Sequence, residues 1–351
     1  MGTHPYSDLP KSAFWKTGVA QENPYAIEGI YKKKFKIPPQ KKIATAGSCF
    51  AQHISRHLKK NGYNVLDVEM PPPGLPDKLH QKFGFSMYSA RYGNIYTVRQ
   101  LLQLTQEAAG EWTPQNFIWE KDGKFYDALR PVVEPKGLDS PEEVIKHRQF
   151  HISRVKELFE NLDLFIFTLG LTEMWIHKKS GTVYPTAPGT LAGDFDEEIF
   201  EFQNSRFDSI NRDMKKFVQV LRRMRGGRNF RMILTVSPVP LTATASGHHV
   251  MVSNVYSKST LRAIAGLWAE KPFVDYFPSY EIVTNPRMQS TAFADNLRSV
   301  RDETVETVMK HFFKEHQSVQ RKESSSVSSY SSVKTKEDIQ CEEELMEAFG
   351  K

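Results

Sequence analysis

Cysteine is scarce in this chain, with two in 351 residues, Cys49 and Cys341. One falls in the apparent core and one near the end, so no disulfide framework is indicated. Long apolar runs are missing too: no stretch reaches the roughly 18 residues that a membrane helix needs. The opening MGTHPYSDLPKSAFWKTG lacks the basic-then-apolar pattern of a secretory leader. Tyr6 stands where a myristoylation start needs Ser or Thr. Together these absences read as a soluble, cytoplasmic protein with no membrane span. Neither Walker A nor dinucleotide-loop spacing occurs, and no cofactor is expected.

The charge is positive but uneven. The whole chain carries +6, and from Arg321 onward five Lys/Arg face seven Asp/Glu, leaving +8 on the first 320 residues. Such an excess favours anionic partners: phosphorylated or uronate sugars, nucleic acid, or an acidic surface. The basic residues are scattered through helical patterns with no compact arm or zinc-finger spacing, so nucleic acid is not expected.

Residues 1–40 hold Pro, Tyr and Trp with little periodicity and read as an arm lying on a domain that spans 41–320. Ile43 to Ala46 form a short apolar strand ending at Gly47, and Ala51, Ile54 and Leu58 follow at helical spacing. KKNGYNVLDVE closes that helix and starts a second strand. A helix begins near Thr97, another near Ser140 with acids in its first turn. DLFIFTLGLTEMW is the clearest buried strand, and HKKSGTVYPTAPGTLAGDFD after it reads as a long substrate-covering loop. Strands at FRMILTVSPVPL and FVDYFPSYEIV alternate with further helices. Alternation of this kind predicts an α/β protein with a mostly parallel sheet covered on both faces. From about residue 321 a Ser-rich linker leads to an acidic tail, EDIQCEEELMEAF. In such a fold ligands bind beyond the carboxyl ends of the strands. Ser48 and Cys49, Gly170 to Glu173, the SPVPL turn and Asp295 all fall there.

AGSCFAQHISRHL resembles the GSCFA family, whose name is written in Gly47 to Ala51. FSMYSARYGNIYTVRQLL, FTLGLTEMW, GTVYPTAPGTLAG, LTVSPVPLTATASGHHVMVSNVYSKSTLRA, VDYFPSYEI and NLRSV look like family segments in family order. The resemblance implies a three-layer α/β/α, flavodoxin-like SGNH-hydrolase fold, a bacterial source, and an esterase or acyltransferase scaffold associated with polysaccharide modification.

SGNH enzymes place a nucleophilic serine on a strand-to-helix turn, where amide dipoles stabilise developing negative charge. A gapless register sets Cys49 at that serine; a one-residue shift keeps Ser48. A thiol is the stronger nucleophile near neutral pH. The resemblance further matches Gly93 to the oxyanion-hole glycine and Gly170 to Glu173 to the Gly-x-Asn-Asp block, so that Thr172 replaces asparagine. Asn94 is then a candidate for the missing amide. DNLRSV occupies the Asp-x-x-His position with Asp295 matched and Arg298 at the histidine. Guanidinium does not accept a proton, so His249 is the expected base, with His248 as its weaker neighbour and Asp295 or Glu173 orienting it. Arg298 reads instead as the anchor of a substrate carboxylate or phosphate. All of this requires the Gly47 turn to expose sulfur or oxygen within reach of an imidazole. His53 and His57 have zinc-like spacing but no third ligand, and read as a solvated helix face. Asp275 and Glu281 carry no assigned role.

Overall fold

The structure, a computed structural model, describes residues 4–288 and 290–316. The strands are β1 (Ile43–Gly47), β2 (Ile118–Lys121), β3 (Lys124–Asp127), β4 (Leu164–Leu169), β5 (Glu173–His177), β6 (Val183–Tyr184), β7 (Phe200–Asn204), β8 (Arg231–Val236) and β9 (Val274–Tyr276). The helices are α1 (Phe50–Lys60), α2 (Asp77–His80), α3 (Val98–Ala108), α4 (Pro141–Asn161), α5 (Phe207–Met224), α6 (Val250–Ala269), α7 (Ser279–Val283) and α8 (Asp302–His316).

The central sheet is parallel, in the order β1-β4-β8-β9. A parallel bridge from Ile43 to Val65 adds one more position outside β1. Counted with it, the order is 2-1-3-4-5, the flavodoxin-like arrangement. Val65 is all that remains of the expected second strand. Pleating decides the layers, because successive side chains leave opposite faces. Ala44, Ala46, Phe165, Phe167, Met232 and Leu234 enter one core with α3 to α6. Ile43, Leu164, Ile166 and Ile233 enter the other with α1, α7, α8 and Tyr31, Phe35 and Ile37 of the arm. Strands buried on both faces read as continuous apolar runs, which is why they stood out in the sequence.

Local chemistry fixes the helix starts. The Thr97 hydroxyl accepts from Gln100 N–H, and the Gln100 side chain returns to the cap, a complete capping box. Ser140 caps α4 through Glu143 N–H with Pro141 at the first position. Two departures matter. DLFIFTLGLTEMW is not one strand: it breaks at Gly170–Thr172, and its second half becomes β5 in an antiparallel sheet of order β6-β5-β7. The expected long loop therefore contains strand β6. The β2–β3 hairpin also went unread, although Asp122-Gly123, both at positive φ, is the dipeptide such a turn demands. The Ser-rich linker and acidic tail lie outside the described residues.

Candidate functional site

β1 ends at Gly47 with φ 141°, and a Cβ there would lie 2.5 Å from Thr168 O. Only glycine lets the chain turn that close to β4. Ser48 still belongs to the ladder, its N–H donating to Thr168 O at 3.2 Å. Cys49 is the first residue free of it and forms the N-cap of α1 in αR conformation. Its N–H donates to no backbone acceptor among the described residues. That open amide at a helix N-terminus is suited to meet a negatively charged oxygen.

Both side chains are covered. Ser48 is 3% exposed and Cys49 5%. This corrects the expected open presentation: the turn is roofed by its neighbours. The Ser48 hydroxyl is buried without a hydrogen-bond partner among the described residues. Thr45, Thr168 and Thr172, on or just after β1 and β4, have equally unpartnered buried hydroxyls. Buried polar groups in native folds are nearly always satisfied, so these four hydroxyls, on two adjacent strands and their exits, are groups that could meet a ligand or water.

Three segments close over the turn. In the first, Ile95 N–H donates to Gly47 O at 2.9 Å, the Tyr88 hydroxyl donates to Ser48 O at 3.2 Å and also bonds Asn94 Oδ1. Gln52 Nε2 lies 3.4 Å from the same Oδ1. Asn94 is thus packed against Tyr88 and Gln52 beneath the turn. Gly93 adopts φ 67° and makes this turn possible. In the second, Gly170 and Leu171 N–H both donate to Tyr96 O. A Cβ on Gly170 would stand 3.0 Å from Ser48 Cβ. Gly170 therefore serves as a spacer against Ser48, and its amide is already committed. Thr172 N–H goes to Ser257 Oγ at 3.1 Å, so its hydroxyl alone is available to a ligand. The third segment is α6 itself. Next to Ser257, Lys258 is 1% exposed and donates from Nζ to Gly170 O at 2.9 Å.

The remaining expected residues are placed otherwise. His249 is exposed, and its Nδ1 accepts from Met251 N–H at 3.2 Å as the cap of α6. An accepting Nδ1 puts the neutral ring's proton on Nε2, a donor rather than the acceptor a base needs. Asp295 extends into solvent 3.5 Å from Arg301, and no hydrogen bond joins it to His249 among the described residues. Glu173 opens β5 and accepts from the Thr244 hydroxyl at 2.8 Å, within a chain through Ser246 and Ser253. Burial raises its pKa against the lowering effect of that hydroxyl. Arg298 is nearly buried and donates from Nε to Pro240 O at 3.3 Å, which ties its loop to the exit of β8. His53 lies buried against Phe50 and not on a solvated face.

Sequence reasoning missed Lys258 and Tyr88. Lys258 had a signal: it interrupts the buried stripe of α6 between Ser257 and Leu261, and lysine is almost never fully buried without a partner. Tyr88 had none, because only the fold brings it to Ser48 O.

Fold and turn together define a flavodoxin-like α/β domain with a small-residue turn, closed over by loops, at the carboxyl edge of its sheet. The GSCFA family model matches residues 42–312, and the chain belongs to the GSCFA family. None of the curated proteins matches it. Among solved structures it is similar to an acetyl esterase variant crystallised with acetate, at 10% identity and a TM-score of 0.33, covering 77% of this chain and 93% of that one. A carbohydrate esterase of family 3 from Talaromyces cellulolyticus shows 11% identity and a TM-score of 0.29, covering 78% and 94%. Likenesses this loose carry no argument about the chemistry.

Proposed function

We propose that the chain is an acyl-ester hydrolase or acyltransferase acting on an acylated anionic glycan or small molecule, with Cys49 as nucleophile. The observation that carries this is the commitment of Ser48 N–H to β4 while Cys49 N–H stays open at the start of α1. Cys49 Sγ attacks the acyl carbonyl, the ester C–O bond breaks, and the thiol proton ends on the departing alcohol. Water or a second alcohol then attacks the thioester, the C–S bond breaks, and the attacker's proton returns to sulfur to regenerate the thiol. The oxyanion is met by Cys49 N–H, with the Thr172 hydroxyl as a further donor. Lys258 supplies positive charge beside the turn, and Arg298 holds the anionic end of the substrate. A thiol depends less on a general base than a hydroxyl does, which suits a site with arginine at the usual histidine position.

Turnover of p-nitrophenyl acetate and labelling by iodoacetamide test the assignment. Labelling at Cys49, with activity lost in Cys49→Ala and retained in Ser48→Ala, is expected. Loss in Ser48→Ala with an active Cys49→Ala would move the nucleophile to Ser48, and loss in His249→Ala would restore that histidine as base. Burial of both side chains favours a second reading, a non-catalytic carbohydrate-binding protein. No turnover and no labelling, alongside measurable glycan affinity, would establish it.

A further inference from the structure

α1 and α8 lie side by side, and two clefts of about 260 and 580 Å³ run along them. The clefts share His57, Lys60 and Glu306, so they form one groove. Its floor is Val305, Met309 and Phe313, and its walls carry Arg56, Lys60, Lys310 and Lys314 against Asp302 and Glu306. Glu306 lies 3.8 Å from His57 Nε2, and burial, the largest influence on that ring, holds its pKa below the usual value. Lys60, Lys310 and Lys314 are exposed and have no ion-pair partner among the described residues. Val305, Met309 and Phe313 are buried in the core beneath the groove, so its surface is set by the lysines along the rim, which suit an acidic segment.

The chain itself contains one. α8, which builds half of the groove, ends at His316, where the Tyr63 hydroxyl donates to its carbonyl at 3.0 Å. Thirty-five residues follow. Among them Glu337 to Phe349 hold six acids and no base, with Cys341, Leu345 and Phe349 spaced i, i+4, i+8. As a Ser-rich tether, residues 317–336 would have a root-mean-square span of about 25 Å. The 11-residue helix α1 is about 16 Å long. The segment therefore reaches every part of the groove, and tethering raises its effective concentration to the millimolar range. We propose that the acidic segment 337–349 docks in the groove between α1 and α8 of its own chain. This goes beyond the catalytic reading and stands without it.

Zero-length carbodiimide cross-linking of the full chain at low salt, mapped by mass spectrometry, tests the proposal. Cross-links should join Glu337 to Glu347 with Lys60, Lys310 and Lys314, and fall several-fold in 0.5 M salt. The combined Lys60→Glu, Lys310→Glu and Lys314→Glu variant should lose them through this segment. Adding Glu342→Lys, Glu343→Lys and Glu344→Lys should restore pairing with reversed polarity. The salt series on the unaltered chain keeps the test valid if the variant folds poorly. Cross-links spread over the whole basic surface would overturn the proposal. So would cross-links concentrated on Lys36 and Lys41, which line a separate basic cleft at the amino ends of the strands, or formed between isotopically heavy and light chains in a mixture.

Discussion

Two buried polar regions lie near each other in this molecule and differ in one respect. On the flank between α3, α4 and β3, Arg148 bonds both Asp127 and Glu107, Arg130 bonds Asp127 at 2.7 Å, and His151 Nδ1 sits 2.7 Å from Glu69. Each of these charges has a countercharge, and among their polar atoms His151 Nε2 is the orphan. At the Gly47 turn, the buried hydroxyls of Thr45, Ser48, Thr168 and Thr172 stand without hydrogen-bond partners among the described residues. Buried polarity alone does not mark a site; what marks one is polarity left unsatisfied. The first region holds the fold, and the second leaves hydroxyls unpaired among the described residues.

The sharpest way to break that contrast is to exchange stability for activity. Arg148→Ala strands Glu107, leaves Asp127 to Arg130 alone, and should cost about 3–5 kcal/mol, read as a lower urea midpoint. Cys49→Ala should leave that midpoint nearly unchanged while ester turnover falls by about 10³-fold or more. If Arg148→Ala were stable, or Cys49→Ala strongly unfolded, the two regions would not differ as described.

Acid should act on the paired region and its neighbours next. Burial, then Arg56 and His57, hold His53 down at about 3. Burial, then Arg130, hold His151 at about 4 against the pull of Glu69. The unfolded chain takes up these protons near 6.5 and the folded chain refuses them. Stability is therefore full above pH 6.5 and is lost as pH falls toward 4, by up to about 1.4 kcal/mol per pH unit for each ring. Glu69 adds the same sign at lower pH: burial pushes its pKa up, but His151 and Arg130 outweigh it and hold it at about 2. Urea midpoints at pH 7, 5.5 and 4.5 measure the slope, and His53→Gln should flatten it. A flat profile in the unaltered chain would contradict the burial of these rings.

The smallest stability effect belongs to the orphans. Thr172→Val removes a hydroxyl that has no partner, so the fold should be unchanged or slightly firmer, within about 1 kcal/mol. Ester turnover should nevertheless drop by about 10²-fold if that hydroxyl meets the oxyanion. Unchanged turnover would remove Thr172 from the site and leave the Cys49 amide to do its work.

Legibility in the sequence followed sequence distance. The parallel strands, the Thr97 and Ser140 caps and the Gly47 turn were readable because each depends on residues within a few positions of one another. The break at Gly170 was not readable, since apolar character continues across it into β5. Asp295 and His249 sit at the expected places in the chain, yet one points into solvent and the other caps a helix. Spacing gives a residue's address along the backbone, and side-chain direction depends on what packs around it.

By itself the sequence determined the architecture and the family, because strand periodicity, capping residues and the Gly47–Ala51 signature are local and act wherever they occur. Only the tertiary structure decided which groups meet at the turn. Lys258 comes from more than 200 positions away and Tyr88 from forty, and contacts across such separations exist only once the sheet has stacked and its loops have closed over it.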